Sequence, residues 1–122
     1  MNEYVLMIGS NTDAKKNIEK AIDYLKQTFG IVCLSQQLQT KAENMSNKLP
    51  YINVAAKITS QSDEIELKQT LKSIERELGR TSEQKKRGVI AIDIDIISKN
   101  KEIIHQDYVG RKFVKILVDK VM

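Results

Sequence analysis

The chain has no tryptophan, one cysteine (Cys33), one proline (Pro50), five glycines and only six tyrosines and phenylalanines together in 122 residues. A single cysteine excludes an intrachain disulfide framework, and its apolar neighbours suit a small buried side chain, so a reducing, cytoplasmic setting is expected. The scarcity of proline, with no long block of one charge sign, argues against a disordered or collagen-like chain. No stretch approaches the roughly 20 apolar residues that span a bilayer. The opening Met1-Asn2-Glu3-Tyr4 lacks a basic segment followed by a long apolar one, so neither a membrane partner nor export is expected.

A hydrophobic content of 41% is enough for one moderate core, and a single domain over residues 1–122 is expected. Twenty basic residues against 16 acidic ones leave a net charge of +4, which suits an anionic partner without specifying one. The densest basic run, Lys85-Lys86-Arg87, could meet a nucleotide phosphate, a nucleic-acid backbone or water.

Residues 4–8 read as a buried strand leaving through the turn Gly9-Ser10-Asn11. Ile18, Ala21, Ile22, Leu25 and Phe29 recur at helical spacing, with Asn11 or Thr12 as N-cap and Gly30 as the stop. Ile31–Leu38 reads as a second strand, followed by a polar loop from Thr40 to Leu49. Residues 51–58 alternate, placing Ile52, Val54, Ala56 and Ile58 on one face and Tyr51, Asn53, Ala55 and Lys57 on a half-exposed other. Leu67, Leu71, Ile74 and Leu78 form the stripe of a second helix, capped by Ser62 and ended by Gly79. Ile90, Ile92, Ile94 and Ile96 then alternate along a fourth strand, a short strand at 102–104 follows, and residues 109–121 carry a weaker helical pattern through Phe113, Ile116, Leu117 and Val121. This order predicts an α+β fold of the ferredoxin-like βαββαβ type, a mainly antiparallel sheet with helices on one face and the other face free for a ligand.

Asp93 and Asp95 share one face of the fourth strand. Aspartate disfavours strands, and two carboxylates among Ile92, Ile94 and Ile96 are costly unless a cation or hydrogen bonds compensate them. Magnesium takes one or two carboxylates with phosphate oxygens and water, although two solvated aspartates on an open strand fit the same pattern. Tyr51 and Asn53 can offer a ring and an amide to one flat heterocycle. Glu75 and Arg80, taken alone, read as a charge pair at a helix end. His105 reads as a surface residue in a polar turn.

Five segments together resemble the 6-hydroxymethyl-7,8-dihydropterin pyrophosphokinases: Ile8-Gly9-Ser10-Asn11, Thr40, Tyr51-Ile52-Asn53, Ile74-Glu75 through Leu78-Gly79-Arg80, and Ile92-Asp93-Ile94-Asp95. The resemblance implies transfer of pyrophosphate from ATP to the pterin alcohol in folate biosynthesis, with two Mg2+ ions held by Asp93 and Asp95. It implies phosphate contact and catalysis by Arg80, ATP contacts by Glu75, Tyr108 and Arg111, and pterin contacts by Thr40, Tyr51, Asn53 and Phe113. It implies ATP and 6-hydroxymethyl-7,8-dihydropterin as partners, no nucleic acid, and a monomer or weak homodimer.

The family's Trp-Gly-Pro-Arg element stands here as Arg87-Gly88-Val89-Ile90, so an aliphatic residue replaces a loop arginine. Arg87 is the candidate to act for it, ahead of Lys85 and Lys86. The 41–49 loop lacks the family's Pro-Pro and Gly, Asp107-Tyr108 stands where Val-Pro-His is usual, and the resemblance covers the core of the family fold. A catalytically impaired nucleotide- or pterin-binding protein is the alternative. An RNA-binding or regulatory module fits less well, because the third strand has no aromatic platform and Asp93 and Asp95 would repel phosphate without a metal.

Overall fold

A computed structural model describes residues 1–40 and 50–122. The elements are β1 (Asn2–Ser10), α1 (Ala14–Thr28), β2 (Gly30–Leu34), β3 (Leu38–Thr40), β4 (Tyr51–Ser60), α2 (Glu64–Glu77), α3 (Ser82–Lys86), β5 (Asp93–Lys99), β6 (Glu102–Ile103), α4 (Asp107–Gly110) and α5 (Lys112–Val121). From Lys41 on, the expected polar loop lies outside the described residues.

The sheet runs β2-β4-β1-β5-β6, with β3 also paired to β4, and its pairings are antiparallel. Placing the first strand between the third and fourth is the ferredoxin-like order that strand–helix–strand alternation predicts. The expected second strand is two short pieces. Between them the Ser35 hydroxyl accepts the Ala55 N–H at 2.8 Å, while the Ser35 N–H donates to Ala55 O at 2.8 Å.

Helices α1 and α2 cover one face. Ile18, Ala21, Leu25, Leu67, Leu71 and Ile74 meet Leu6, Ile8, Val54, Ala56, Ile58 and Ile94 there. The first turn of α2 is set by Asp63 rather than Ser62. Its carboxylate accepts the Glu66 N–H at 2.8 Å and Glu66 accepts the Asp63 N–H at 3.2 Å, a reciprocal cap that leaves two fewer orphan donors. α1 begins after Asp13, at φ 42°, rather than at Asn11 or Thr12, whose side chains have other work.

The second face is not wholly free. Val114, Leu117, Val118 and Val121 of α5 pack on Val5, Met7, Ala55 and Ile97. With α5 on this side and α1 and α2 on the other, β4 is covered on both faces, and Asn53 and Ala55 are 3% and 0% exposed where a half-exposed strand was expected. The packing stripe of α5 is also rotated from the expected one, leaving Ile116 half exposed. A bulge between Val5 and Leu6 in the pairing with β5 lets Ile97 join this second core. What α5 leaves uncovered is the end of the face near Gly9, Asn53 and Asp93.

Candidate active site

Register brings three strands together at that end. Gly9 pairs with Asn53 on one side and Asp93 on the other, and Met7 pairs with Asp95. A cleft of about 820 Å³ opens above them, lined by Thr40, Tyr51, Asn53, Asp93 and Asp95 from the sheet and by Asp107, Arg111 and Phe113 from the C-terminal segment. The missing side chain of Gly9 makes part of this room. A Cβ there would stand 3.2 Å from Asn53 Oδ1 and 3.5 Å from Tyr51 Cδ1.

The Asn53 amide nitrogen donates to Leu38 O at 3.2 Å and to Thr40 Oγ1 at 3.0 Å, so β3 fixes which way the amide points. Burial, reinforced by the charges of Asp93 and Asp95, pushes the Tyr51 hydroxyl up to about 12, so it stays protonated at neutral pH. Its half-buried ring and the neighbouring amide form one wall. Phe113 reaches the same cleft from α5 while also packing on the second core.

Asp93 and Asp95 face the cleft one step apart on β5. Burial, then the charge and hydrogen bond of Asp93, raises the Asp95 carboxyl to about 7, with Glu75 and Asp107 adding to the effect. Two carboxylates crowded in this way offer hard oxygen donors, and a divalent cation between them would remove the repulsion that raises Asp95. The donor set thus fits magnesium.

Arg80 Nη1 lies 2.7 Å from Asp93 Oδ1 and 3.1 Å from Glu75 Oε2. Burial pulls its pKa down, but Asp93 and Glu75 outweigh that and keep it charged. Glu75 is 4% exposed, and its Oε2 accepts the Ile94 N–H at 2.7 Å. Burial raises its carboxyl, opposed by that N–H and by Arg80. Glu75 thus ties α2 to β5, behind the aspartates rather than in the cleft. It also lines a smaller cavity of about 250 Å³, together with Lys72, Arg76, Arg80, Thr81, Ser82 and Lys85.

Two further expected site residues stand apart from the cleft. The Tyr108 hydroxyl donates to Asp119 at 2.6 Å and its ring packs against the second core, tying α4 to α5. Arg87 follows α3, a helix not expected from the sequence, and its largely exposed side chain lies 3.1 Å from Glu83. Arg111 does line the cleft, 3.6 Å from Asp107.

Ile90 departs from the alternation. Regular pairing of β5 begins only at Asp93, and the irregular backbone before it turns Ile90 away from the core of Ile92 and Ile94 and into the cleft, 6% exposed. Asp107 is the residue that sequence reasoning passed over, since only the chain's return through α4 brings it near Asp95. His105 also comes close, with ligand atoms of Asp95, His105 and Asp107 within 4.8 Å of one another. Its Nδ1, however, accepts the Asp107 N–H at 3.0 Å, which commits that lone pair to the start of α4.

Among the described residues no helix is long and apolar enough to cross a membrane. The model of the 7,8-dihydro-6-hydroxymethylpterin-pyrophosphokinase family matches residues 5–122. A curated relative, the 2-amino-4-hydroxy-6-hydroxymethyldihydropteridine pyrophosphokinase of Aquifex aeolicus (strain VF5), is 34% identical over 100 residues, 81% of this chain and 62% of that protein's length. With the match reaching from β1 through α5 and taking in the strands that frame the cleft, the chain belongs to the 7,8-dihydro-6-hydroxymethylpterin-pyrophosphokinase family.

Proposed function

We propose that the protein transfers the pyrophosphoryl group of ATP to 6-hydroxymethyl-7,8-dihydropterin, with magnesium, as a step of folate biosynthesis. The observation that carries this reading is the single cleft in which Asp93 and Asp95 lie beside Tyr51, Asn53 and Phe113. One end is suited to cations and phosphate, the other to a flat polar ring.

Tyr51 and Phe113 supply apolar surface for the pterin, and Asn53, oriented by Thr40, reads its polar edge. Arg80 and the cations of the neighbouring cavity draw the triphosphate alongside β5. Arg111 stands at the opposite wall for the nucleotide. Magnesium held by Asp93 and Asp95 would neutralise the triphosphate and spread charge in the transition state. The hydroxyl oxygen of the pterin bonds to the β-phosphorus, and the bond from that phosphorus to the oxygen bridging the α-phosphorus breaks. AMP leaves, and the hydroxyl proton passes to solvent. Holding the two reacting atoms in line is the chain's main contribution.

Incubation with both substrates and magnesium, followed by chromatography, is expected to yield AMP and the pterin diphosphate in equal amounts. Folded protein that forms neither at any magnesium concentration rejects the reading.

The buried Ile90 at the cleft supports a second reading, in which the protein binds nucleotide and pterin with little chemistry. Calorimetry would then register both ligands without turnover, and Ile90→Arg would raise the rate.

A further inference from the structure

Asn11 and Ser10 are 5% and 0% exposed polar residues that the reaction leaves unused. They lie just past the last regular pair of β1 with β5, Gly9 with Asp93. Beyond that pair the ladder stops, yet the two segments stay joined. The Asn11 N–H donates to Ile90 O at 3.0 Å, the Ile90 N–H donates to Asn11 Oδ1 at 2.7 Å, and Asn11 Nδ2 donates to Gly88 O at 2.7 Å. The Ser10 hydroxyl donates to Ala91 O at 2.6 Å.

A side-chain amide has the donor and acceptor of a peptide group, so Asn11 serves the 88–90 backbone as a neighbouring strand would. Gly88 has φ 77°, a left-handed conformation that ends α3 and that glycine adopts without strain. The segment leaving α3 is therefore held by Asn11 at Gly88 and Ile90 and by Ser10 at Ala91, between the turn that ends α3 and the first residue of β5. Ile90, which lines the cleft, is part of this anchor, and the anchor lies in the chain between the basic residues Lys85, Lys86 and Arg87 and the first residue of β5, Asp93.

We infer that Asn11 is a positioning residue for the basic 82–88 segment, fixing its exit beside the aspartates through Gly88 and Ile90. It touches no reacting atom. The assignment of phosphate as what the segment meets rests on the proposed function; the anchoring itself does not.

Trypsin tests the anchoring directly, because Lys85, Lys86 and Arg87 are themselves cleavage sites. Removing two buried hydrogen bonds from one segment, with its carbonyl and amide left unpaired, is expected to speed cleavage after residues 85–87 by about tenfold or more in Asn11→Ala. Cleavage after Lys15, Lys16 and Lys20 of α1 is expected to stay at the wild-type rate. The Asn11→Asp variant keeps an acceptor for the Ile90 N–H and loses the donor to Gly88 O, so its cleavage is expected to fall between the two. It also carries the test should the alanine variant not fold. In the reaction, the KM for ATP is expected to rise more than kcat falls. Cleavage at 85–87 no faster than in wild type, or faster only in step with cleavage in α1, overturns the inference. Wild-type protein without turnover would reject the proposed function and leave the cleavage comparison standing.

Discussion

Arg80 and Asp93 form an ion pair of 2.7 Å in which the guanidinium also reaches Glu75, so one arginine serves a partly buried and a fully buried carboxylate together. A cation bound by Asp93 would take over part of what Arg80 does there and would free the guanidinium for the phosphate of the proposed reaction. Replacing Arg80 by alanine takes from the buried Glu75 its nearer cation and leaves it Lys72, at 3.9 Å, as its ion-pair partner among the described residues. It is expected to cost about 3 kcal/mol of stability, on the scale of breaking a buried pair, in urea unfolding without metal. The same variant is expected to lose about 10²- to 10³-fold in kcat, the scale of one preorganised donor.

Glu75 separates charge from hydrogen bonding. Its Oε2 accepts the Ile94 N–H, a role that an amide oxygen can keep. Glu75→Gln is therefore expected to fold almost normally, whereas Glu75→Ala orphans a buried N–H and is expected to lose about 1–3 kcal/mol in the same unfolding measurement.

Asp95 gives the metal-free protein a pH dependence with a definite sign. Its carboxyl stands at about 7 when folded against an ordinary 3.8, so the folded state holds the extra proton between those values. Its contribution to stability is present below the lower value and is lost as pH rises through the upper one. Melting temperatures measured without metal are expected to show this fall, and Asp95→Asn to flatten it. Magnesium competes with that proton, so magnesium binding is expected to tighten as pH rises through 7. Binding that weakens over this range would contradict the assignment.

Gly9 is expected to matter through room rather than flexibility. In Gly9→Ala the new Cβ would press on Asn53 Oδ1 at 3.2 Å and on the Tyr51 ring. Pterin affinity, followed by the ligand's own fluorescence, is expected to fall about tenfold, or about 1.4 kcal/mol. ATP binding is expected to change little.

The sheet order and the shared face of Asp93 and Asp95 were legible because strand alternation and helical stripes are local signals. Tyr51 with Asn53 was legible for the same reason. Ile90 was not, since its alternation with Ile92 and Ile94 continues in sequence where the ladder has already stopped at Asp93. At the break Gly88 and Ile90 bond instead to a buried Asn11 almost eighty residues away, which no local pattern reveals. The links that Glu75 makes between α2 and β5, and Tyr108 between α4 and α5, were not legible either, because both join elements distant in sequence or formed only by the fold. Covering of β4 by α5 was missed because the α5 stripe is short and permits more than one rotation.

The central claim, that Asp93 and Asp95 hold the cation for pyrophosphoryl transfer, is tested most directly by measuring AMP formation from ATP and the pterin against magnesium concentration, for wild type beside Asp95→Asn. The account predicts saturable magnesium dependence in wild type and a loss of at least about 10²-fold in the variant, with ATP consumed only as AMP appears. Turnover indifferent to magnesium, or equal rates in the two proteins, would contradict it.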